Sequence, residues 1–335
     1  MANLRAGLIG LGMMGRHHAR VLASLPGVDL VGVADAGGDP HGVAGGRPIF
    51  ESIEQLIELG LDYCMVAVPT ISHTPIGLAL ANEGVHAMIE KPLAHDTPSA
   101  RLLADAFAAK GLVGAVGHIE RYNPALQSAR ARLEAGELGM VYQVATRRQG
   151  PFPDRIADVG VIKDLATHDI DLTAWVTQQP FTSVAARTAF RSGREYEDLV
   201  SITGQLADGT VTNHLVNWLS PLKERVTVIT GEKGAFVADT LTADLTFYAN
   251  GVVPVIRDDM LAFRGVSEGD VIRYAIAKPE PLRVEHENFR DSILGKDADI
   301  VTLQQGMVTV EVAEAAIESA RTGQTITIDN PRSAL

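Results

Sequence analysis

The chain has 335 residues, 46% of them hydrophobic and 21% charged, which is enough for two domains that each bury a core. A formal net charge of −12 argues against a nucleic-acid surface, which needs clustered Lys and Arg. No apolar run reaches the roughly 18 residues of a membrane span, and the acidic excess, spread along the chain, reads as a solubility device.

The opening "MANLRAGLIGLGMMG" is laced with glycine and runs into "RHHAR" without a small-residue cleavage pattern, so it is read as structure and not as a signal peptide. "RAGLIG" is a strand, and "MMGRHHARVLASL" is a helix ended by Pro26-Gly27. "VDLVGVAD" is the second strand. The glycine-rich "AGGDPHGVAGGRP" is too short and broken to carry a full helix. "SIEQLIELG", "SHTPIGLALANEG" and "TPSARLLADAFAAKG" are helices alternating with the strands "LDYCMVAV", "VHAMI" and "LVGAVGH". The last of these helices has Thr97 as its expected N-cap and Pro98 at its first position. Such alternation predicts βαβ units and a parallel sheet. Cys64, the one cysteine, can form no intramolecular disulfide, reads as core filling, and fits a reducing cytoplasm.

Beyond about residue 120 the texture changes. A helix at "PALQSARARLEAG" precedes many short β-like runs: "MVYQVATRRQ", "TSVAARTAF", "LVSITGQL", "GTVTNHLVNW", "RVTVITG", "AFVADT" and "LTFYA". They predict one large, mainly antiparallel sheet. Helices interrupt it at "DLATHDIDLTAWV" and "RVEHENFRDSIL", and a long helix, "TLQQGMVTVEVAEAAIESARTG", precedes the strand "TITID". The expected fold is an α/β Rossmann domain over residues 1–118 followed by an α+β domain with a large open-faced sheet over 119–335.

Gly10-Leu11-Gly12-Met13-Met14-Gly15 follows the first strand and opens the first helix. Glycines there permit a tight turn and close backbone approach to a pyrophosphate lying on the helix N-terminus. Asp35 ends the second strand 20 residues after Gly15, where a carboxylate accepts from the adenosine ribose diol. It would repel a 2′-phosphate, and "AGGDPH" after it offers no Arg or Lys, so the expected cofactor is NAD. No metal site is expected.

Glu90-Lys91-Pro92 lies at the tip of the strand "VHAMI", the carboxyl end where open α/β sheets bind ligands. Asp164 and His168, four apart on an expected helix, share a face. A carboxylate and an imidazole aimed at one site suit removal of a hydroxyl proton near neutral pH, and a lysine ammonium stabilises the resulting alkoxide. Either His168 or Lys91 can serve as the base. Asp169 and Asp171 leave that face and read as solvated residues or as supports of the site.

The stretches "GLIGLGMMGRHHARVL", "AVPTISHTPIGLAL", "EKPLA", "GHIERYNP" and "GVIKDLATHDIDL", in that order, resemble the family of glucose–fructose oxidoreductase, inositol dehydrogenase and MocA-type proteins. The resemblance implies an NAD(P)-dependent enzyme with a Rossmann domain and an open-faced sheet domain that forms dimers or tetramers. It implies Lys91, Asp164 and His168 as the catalytic group, and it places Val68, Pro69, Thr70, His73, Glu90, Lys91 and His118 along the nicotinamide half of the cofactor. "GHIERYNP" and "RRQGPFPDRIADVGVIKDLATHDID" look like the subgroup that oxidises the 3-hydroxyl of amino sugars, as nucleotide sugars or in aminoglycoside pathways; Lys163 departs from the apolar residue common at its position.

For the substrate, Arg121, Tyr122, Asn123, Arg147 and Arg148 are candidates to grip a nucleotide diphosphate. Asp154, Asp158, Glu195, Glu197 and Asp198 are candidates to receive a cationic aminoglycoside. Inositol or a free sugar is the alternative substrate, and a non-catalytic NAD(H)-binding regulator is the alternative class.

Overall fold

In the computed structural model, the described residues are 2–153, 159–251 and 267–328. Asp154 and Asp158, candidates for a cationic substrate, lie outside them. The chain divides into one unit made of Met1–Ile119 with Glu280–Glu314 and a second made of Glu120–Pro279 with Ala315–Leu335. The expected single cut after His118 therefore needs amending. Residues Glu280–Glu314 pack with the first unit, because their apolar residues Phe289, Val301, Leu303, Met307 and Val310 join its cores.

The first unit alternates β1 (Leu4–Ile9), α1 (Met13–Leu22), β2 (Val28–Ala34), β3 (Ile49–Phe50), α2 (Ile53–Ile57), β4 (Tyr63–Val66), α3 (His73–Asn82), β5 (His86–Glu90), α4 (Thr97–Ala109) and β6 (Gly114–Gly117). Its six strands are ordered β3-β2-β1-β4-β5-β6 and every pair is parallel. Strand order reverses between β1 and β4, which is the switch point where such sheets bind ligands. The strands are apolar on both faces because a separate core covers each side: Leu8, Val33, Tyr63, Met65 and Met88 on one, Ile9, Ala34, Cys64, Val66 and Ile89 on the other.

No helix forms between β2 and β3. Asp39 instead staples a glycine-rich turn by accepting from the Val43 and Ala44 amides, both at 2.7 Å. At the start of α4 the cap is Asp96, whose carboxylate accepts from Ser99 N at 2.8 Å, and not Thr97 as expected. Thr97 donates its amide and hydroxyl to Glu314 at 3.0 and 2.6 Å. Two further helices are α7 (Pro281–Ile293), which packs on α1, and α8 (Leu303–Thr322).

The second unit holds α5 (Pro124–Glu134), β7 (Val141–Pro151), a π-helical turn at Ile162–Ala166, α6 (Thr167–Thr177) and strands β8 (Phe181–Ala189), β9 (Leu199–Leu206), β10 (Val211–Asn217), β11 (Leu219–Gly231), β12 (Gly234–Asp239), β13 (Asp244–Gly251), β14 (Ser267–Arg273) and β15 (Ile326–Thr327). They form a nine-stranded sheet, β14-β13-β12-β11-β7-β10-β9-β8-β15. Only the β10/β7 pair is parallel.

One face of this sheet is covered by α5 and α6 through Ala125, Leu126, Ala129, Leu172, Trp175 and Val176, packed on Val144, Ile229, Phe236 and Leu245. The other face carries a polar lattice, with Gln143 donating to Asn213 at 2.6 Å, Asn217 to Gln149 at 3.1 Å and Gln149 to Glu224 at 2.7 Å. The strict alternation of buried and exposed residues along β9 records the two faces.

Candidate functional site

The turn after β1 is shaped by its glycines. Gly10 has φ +93°, open to glycine at no steric cost, and a Cβ there would sit 2.3 Å from the Ala67 carbonyl oxygen. A Cβ on Gly15 would lie 1.9 Å from the Gly10 carbonyl oxygen, so that glycine lets α1 sit against β1. Nothing lies within 4 Å of a Cβ built on Gly12, which leaves the backbone approachable at the helix N-terminus. These are the three parts a pyrophosphate cradle needs. Met13 is exposed and Met14 half-buried on the first turn of α1.

Asp35 closes the cradle from the end of β2. Its Oδ2 accepts from the Leu11 amide at 2.7 Å and its Oδ1 from the Gly37 amide at 2.8 Å. A carboxylate has about four lone-pair sites, so both oxygens keep capacity for a ribose diol.

Further along the strand tips, Pro69 is exposed, Val68 half-buried and Thr70 buried. His73 is 1% exposed, and its ring bridges the Val68 carbonyl at 3.0 Å and the Pro92 carbonyl at 2.9 Å. Burial lowers its pKa. His73 thus lies between the turn after β4 and the turn after β5, and as a neutral ring it donates its one N–H to one of the two carbonyls. Lys91 is half-buried just beyond β5, joined to Pro92 by a cis peptide. The Glu90 carboxylate accepts the Lys91 backbone N–H at 3.0 Å, and His118 is buried at the end of β6.

In the second unit, Asp164 and His168 are both buried. Asp164 lies in the π-helical turn and His168 in the first turn of α6, not on one regular α-helix. Such one-turn widenings recur at functional sites. Glu197 fixes the start of this segment by accepting the Ile162 amide at 3.0 Å, and Gly160 is needed there because a Cβ would overlap the Glu197 carboxylate.

Asp169 and Asp171 are buried, not solvated. Asp171 receives the Arg121 guanidinium in two bonds, at 2.8 and 2.7 Å. Asp169 receives Arg148 Nε at 2.9 Å, while Arg148 Nη1 donates to Glu120 at 2.9 Å. Burial works against the Arg148 charge, but Asp169 and Glu120 outweigh it and hold the guanidinium protonated. Asn123 caps α5 by accepting the Ala125 amide and donates to the Thr240 carbonyl, both at 3.0 Å; Tyr122 is buried. The side chains expected to grip a diphosphate therefore serve first as ties inside this unit, apart from Arg147, which is exposed and ion-paired with Glu224. Asp198 staples a turn through Arg191 N, Ser192 N and Ser192 Oγ, and Glu195 is exposed.

A cleft of about 250 Å³ opens beside Asp164, lined by Arg148, Gln149, Gly150, Pro151, Pro153, Leu165, Trp218, Lys223 and Arg225 as well. Arg225 was not singled out from sequence. It faces Arg148 across the β7/β11 pair, and its nearest carboxylate contact is Glu120 at 3.7 Å. Burial and then the Arg148 charge depress its pKa, against the pull of Glu120, Asp169 and Asp164. The signal that could have marked it is register, which one sequence does not reveal.

Residues 4–118 match the model of the oxidoreductase family with an NAD-binding Rossmann fold, and residues 126–237 match that of the GFO/IDH/MocA C-terminal domain. The first unit is thus an NAD-binding domain, and its glycine cradle and Asp35 fit that cofactor. Among curated proteins, the chain is similar to UDP-N-acetylglucosamine 3-dehydrogenase of Acidithiobacillus ferrooxidans, 29% identical over 88% of this chain and 90% of that one. It is also similar to scyllo-inositol 2-dehydrogenase (NAD(+)) of Bacillus subtilis, 25% identical over 98% and 97%. A solved structure of the Acidithiobacillus ferrooxidans UDP-N-acetylglucosamine 3-dehydrogenase aligns with a TM-score of 0.80 at 28% identity, covering 96% of this chain and 97% of that one.

Proposed function

This chain belongs to the GFO/IDH/MocA family of NAD-binding oxidoreductases, and from that premise we propose that it oxidises a secondary hydroxyl of a sugar to a ketone, in particular the 3-hydroxyl of an amino sugar carried on a nucleotide. NAD, when bound, accepts the hydride from the carbinol carbon. Lys91 polarises the hydroxyl oxygen and stabilises the charge that develops on it. His168 takes the hydroxyl proton, and Asp164 holds the hydroxyl or the imidazole.

The observation that carries the reading is a carboxylate and an imidazole both withdrawn from bulk water, Asp164 on a widened helical turn that lines a cleft and His168 in the first turn of the helix that follows it. The amino-sugar assignment is supported by the 29% identity to a UDP-N-acetylglucosamine 3-dehydrogenase over most of both chains. Cleft charge supports a nucleotide sugar over a cationic aminoglycoside. Lys223 and Arg225 are cations on the cleft wall, whereas Glu197 and Asp198 are spent on backbone amides. The polar face of the nine-stranded sheet, opposite α5 and α6, is the surface on which a second copy would dock to form a homodimer or homotetramer. A second reading, a cyclitol substrate, is favoured by the near-full-length likeness to a scyllo-inositol 2-dehydrogenase.

Incubation with NAD and, in turn, UDP-N-acetylglucosamine, scyllo-inositol and glucose, followed by NADH absorbance, separates these readings. NADH should form fastest with the UDP-sugar. Faster formation with scyllo-inositol moves the assignment to cyclitols. NAD binding without NADH from any of the three would make the chain a cofactor-binding regulator.

A further inference from the structure

Behind the Lys91 tip lies a row of four buried ionisable side chains: Glu90 is 8% exposed, Glu285 1%, and His18 and His286 0%. His18 projects from α1, Glu90 ends β5, and Glu285 and His286 lie on α7. His18 Nε2 is 2.9 Å from Glu90 Oε1, and His18 Nδ1 is 2.8 Å from His286 Nε2. The other oxygen of Glu90 receives the Lys91 backbone N–H. The row therefore runs from α7 through α1 to the residue that presents Lys91.

The direction of its hydrogen bonds follows from which atoms can donate. Burial works against the Glu90 charge, but the His18 hydrogen bond, the Lys91 charge and the Lys91 amide outweigh it and hold the carboxyl below its usual range. Glu90 thus accepts from His18 Nε2–H. Between the two rings, either a charged His18 donates to His286 or a neutral His18 accepts from it. The first arrangement leaves a buried N–H on His286 Nδ1, which has no hydrogen-bond partner among the described residues. The second leaves only a bare lone pair there, a much smaller penalty. Burial, the largest influence, also pushes His286 well below its ordinary pKa. Both imidazole donors of the row consequently point toward Glu90. Burial and the Glu90 charge push Glu285 well above the carboxylate range, which keeps it neutral and leaves Glu90 the one charged carboxylate of the four.

We propose that His18 and His286 are positioning residues for the oxidation, a one-way donor relay that keeps Glu90 a carboxylate and thereby fixes the backbone and electrostatic setting of Lys91. The proposal rests on Lys91 being the polarising group. Among the described residues, charged and titratable groups that act on Glu90 or feel its charge are Lys91 on its own segment, His18 on α1, Glu285 on α7 and His73 on α3, while His286 on α7 reaches it through His18. From β6 Gly117 approaches, and a Cβ there would come 3.2 Å from the Glu90 carboxyl carbon.

The test uses the NADH-bound protein with 13C-methylated lysines, the Lys91 signal being assigned with Lys91→Arg. In the parent, that signal should show an acid-side inflection from Glu90, absent in Glu90→Gln. In His18→Leu it should move up by roughly one pH unit, the scale of a lost hydrogen bond to a carboxylate. His18→Gln, whose amide can donate from nearly the same place, should bring it back toward the parent. His286→Leu should shift it the same way by less. Turnover of the sugar that the parent oxidises should fall at least tenfold in His18→Leu at unchanged NAD affinity, and recover in His18→Gln. A parent-like inflection in His18→Leu overturns the relay; if that variant fails to fold, an unmoved inflection in His286→Leu does so. Near-parent turnover of Lys91→Ala would sink the assignment of Lys91 instead, while the Lys91 resonance in Lys91-containing variants still decides the relay.

Discussion

At the end of β2, Asp35 holds the Leu11 and Gly37 amides before any cofactor arrives. Asp35→Ala removes this brace together with a ribose acceptor and a phosphate repeller. NAD affinity should drop about tenfold or more, the scale of a hydrogen bond to a charged group, while the preference over NADP narrows. Titrating both cofactors checks it, and an unchanged preference would take Asp35 out of the site. His168→Asn keeps polarity but cannot accept a proton near pH 7. Its turnover should collapse by roughly a hundredfold or more with NAD affinity intact, and the rise of kcat/KM with pH in the parent should vanish or move. A variant that retains the parent's pH profile would shift the base to Lys91. The glycine turn and the place of Asp35 at the end of β2 were legible because they are set by spacing along one βαβ unit. Arg121 and Arg148 were not, since their partners Asp171 and Asp169 stand 50 and 21 positions away. A basic side chain reads alike whether it awaits a phosphate or a buried carboxylate.

Among the elements, strands and helices with strong periodicity were legible. β3 and β14 were missed. β3 is two residues long and exists through its pairing with β2. β14 contains Gly269 and Asp270 and pairs with β13 across a register shift. The π-helical turn at Ile162–Ala166 also escaped, because hydrophobic spacing cannot distinguish a single widened turn from the α6 helix it leads into. The junction of β7 with α6 rests on Arg148, which joins Asp169 and Glu120. Arg148→Met should destabilise the protein by about 3 kcal/mol or more, as it strands carboxylates out of water. Asp169→Asn in the same chain should recover part of the loss. Denaturant unfolding measures both; a loss within a few tenths of a kcal/mol would mean the ion pair is structurally idle.

For the whole molecule, the division near residue 119 was visible as a change from alternating helices and strands to serial strands. The return of Glu280–Glu314 to the first unit was not, since "RVEHENFRDSIL" carries no mark of which core its apolar face joins. That return inserts Glu285 into a buried setting, with a consequence for stability. Its folded pKa is raised well above 4.5, so folding favours the protonated acid. The contribution is fully present below the unfolded pKa and is lost as pH rises through the folded one. Melting temperature should therefore fall with rising pH more steeply in the parent than in Glu285→Gln, and parallel curves would show that Glu285 is solvated or paired. The reaction proposed for this chain moves the hydride on C3 of UDP-N-acetylglucosamine to NAD. Its most direct test is to incubate the protein with NAD and UDP-N-acetylglucosamine deuterated at C3, then weigh the reduced cofactor by mass spectrometry. NADH carrying one deuterium is expected; unlabelled NADH, or none, would contradict transfer from C3.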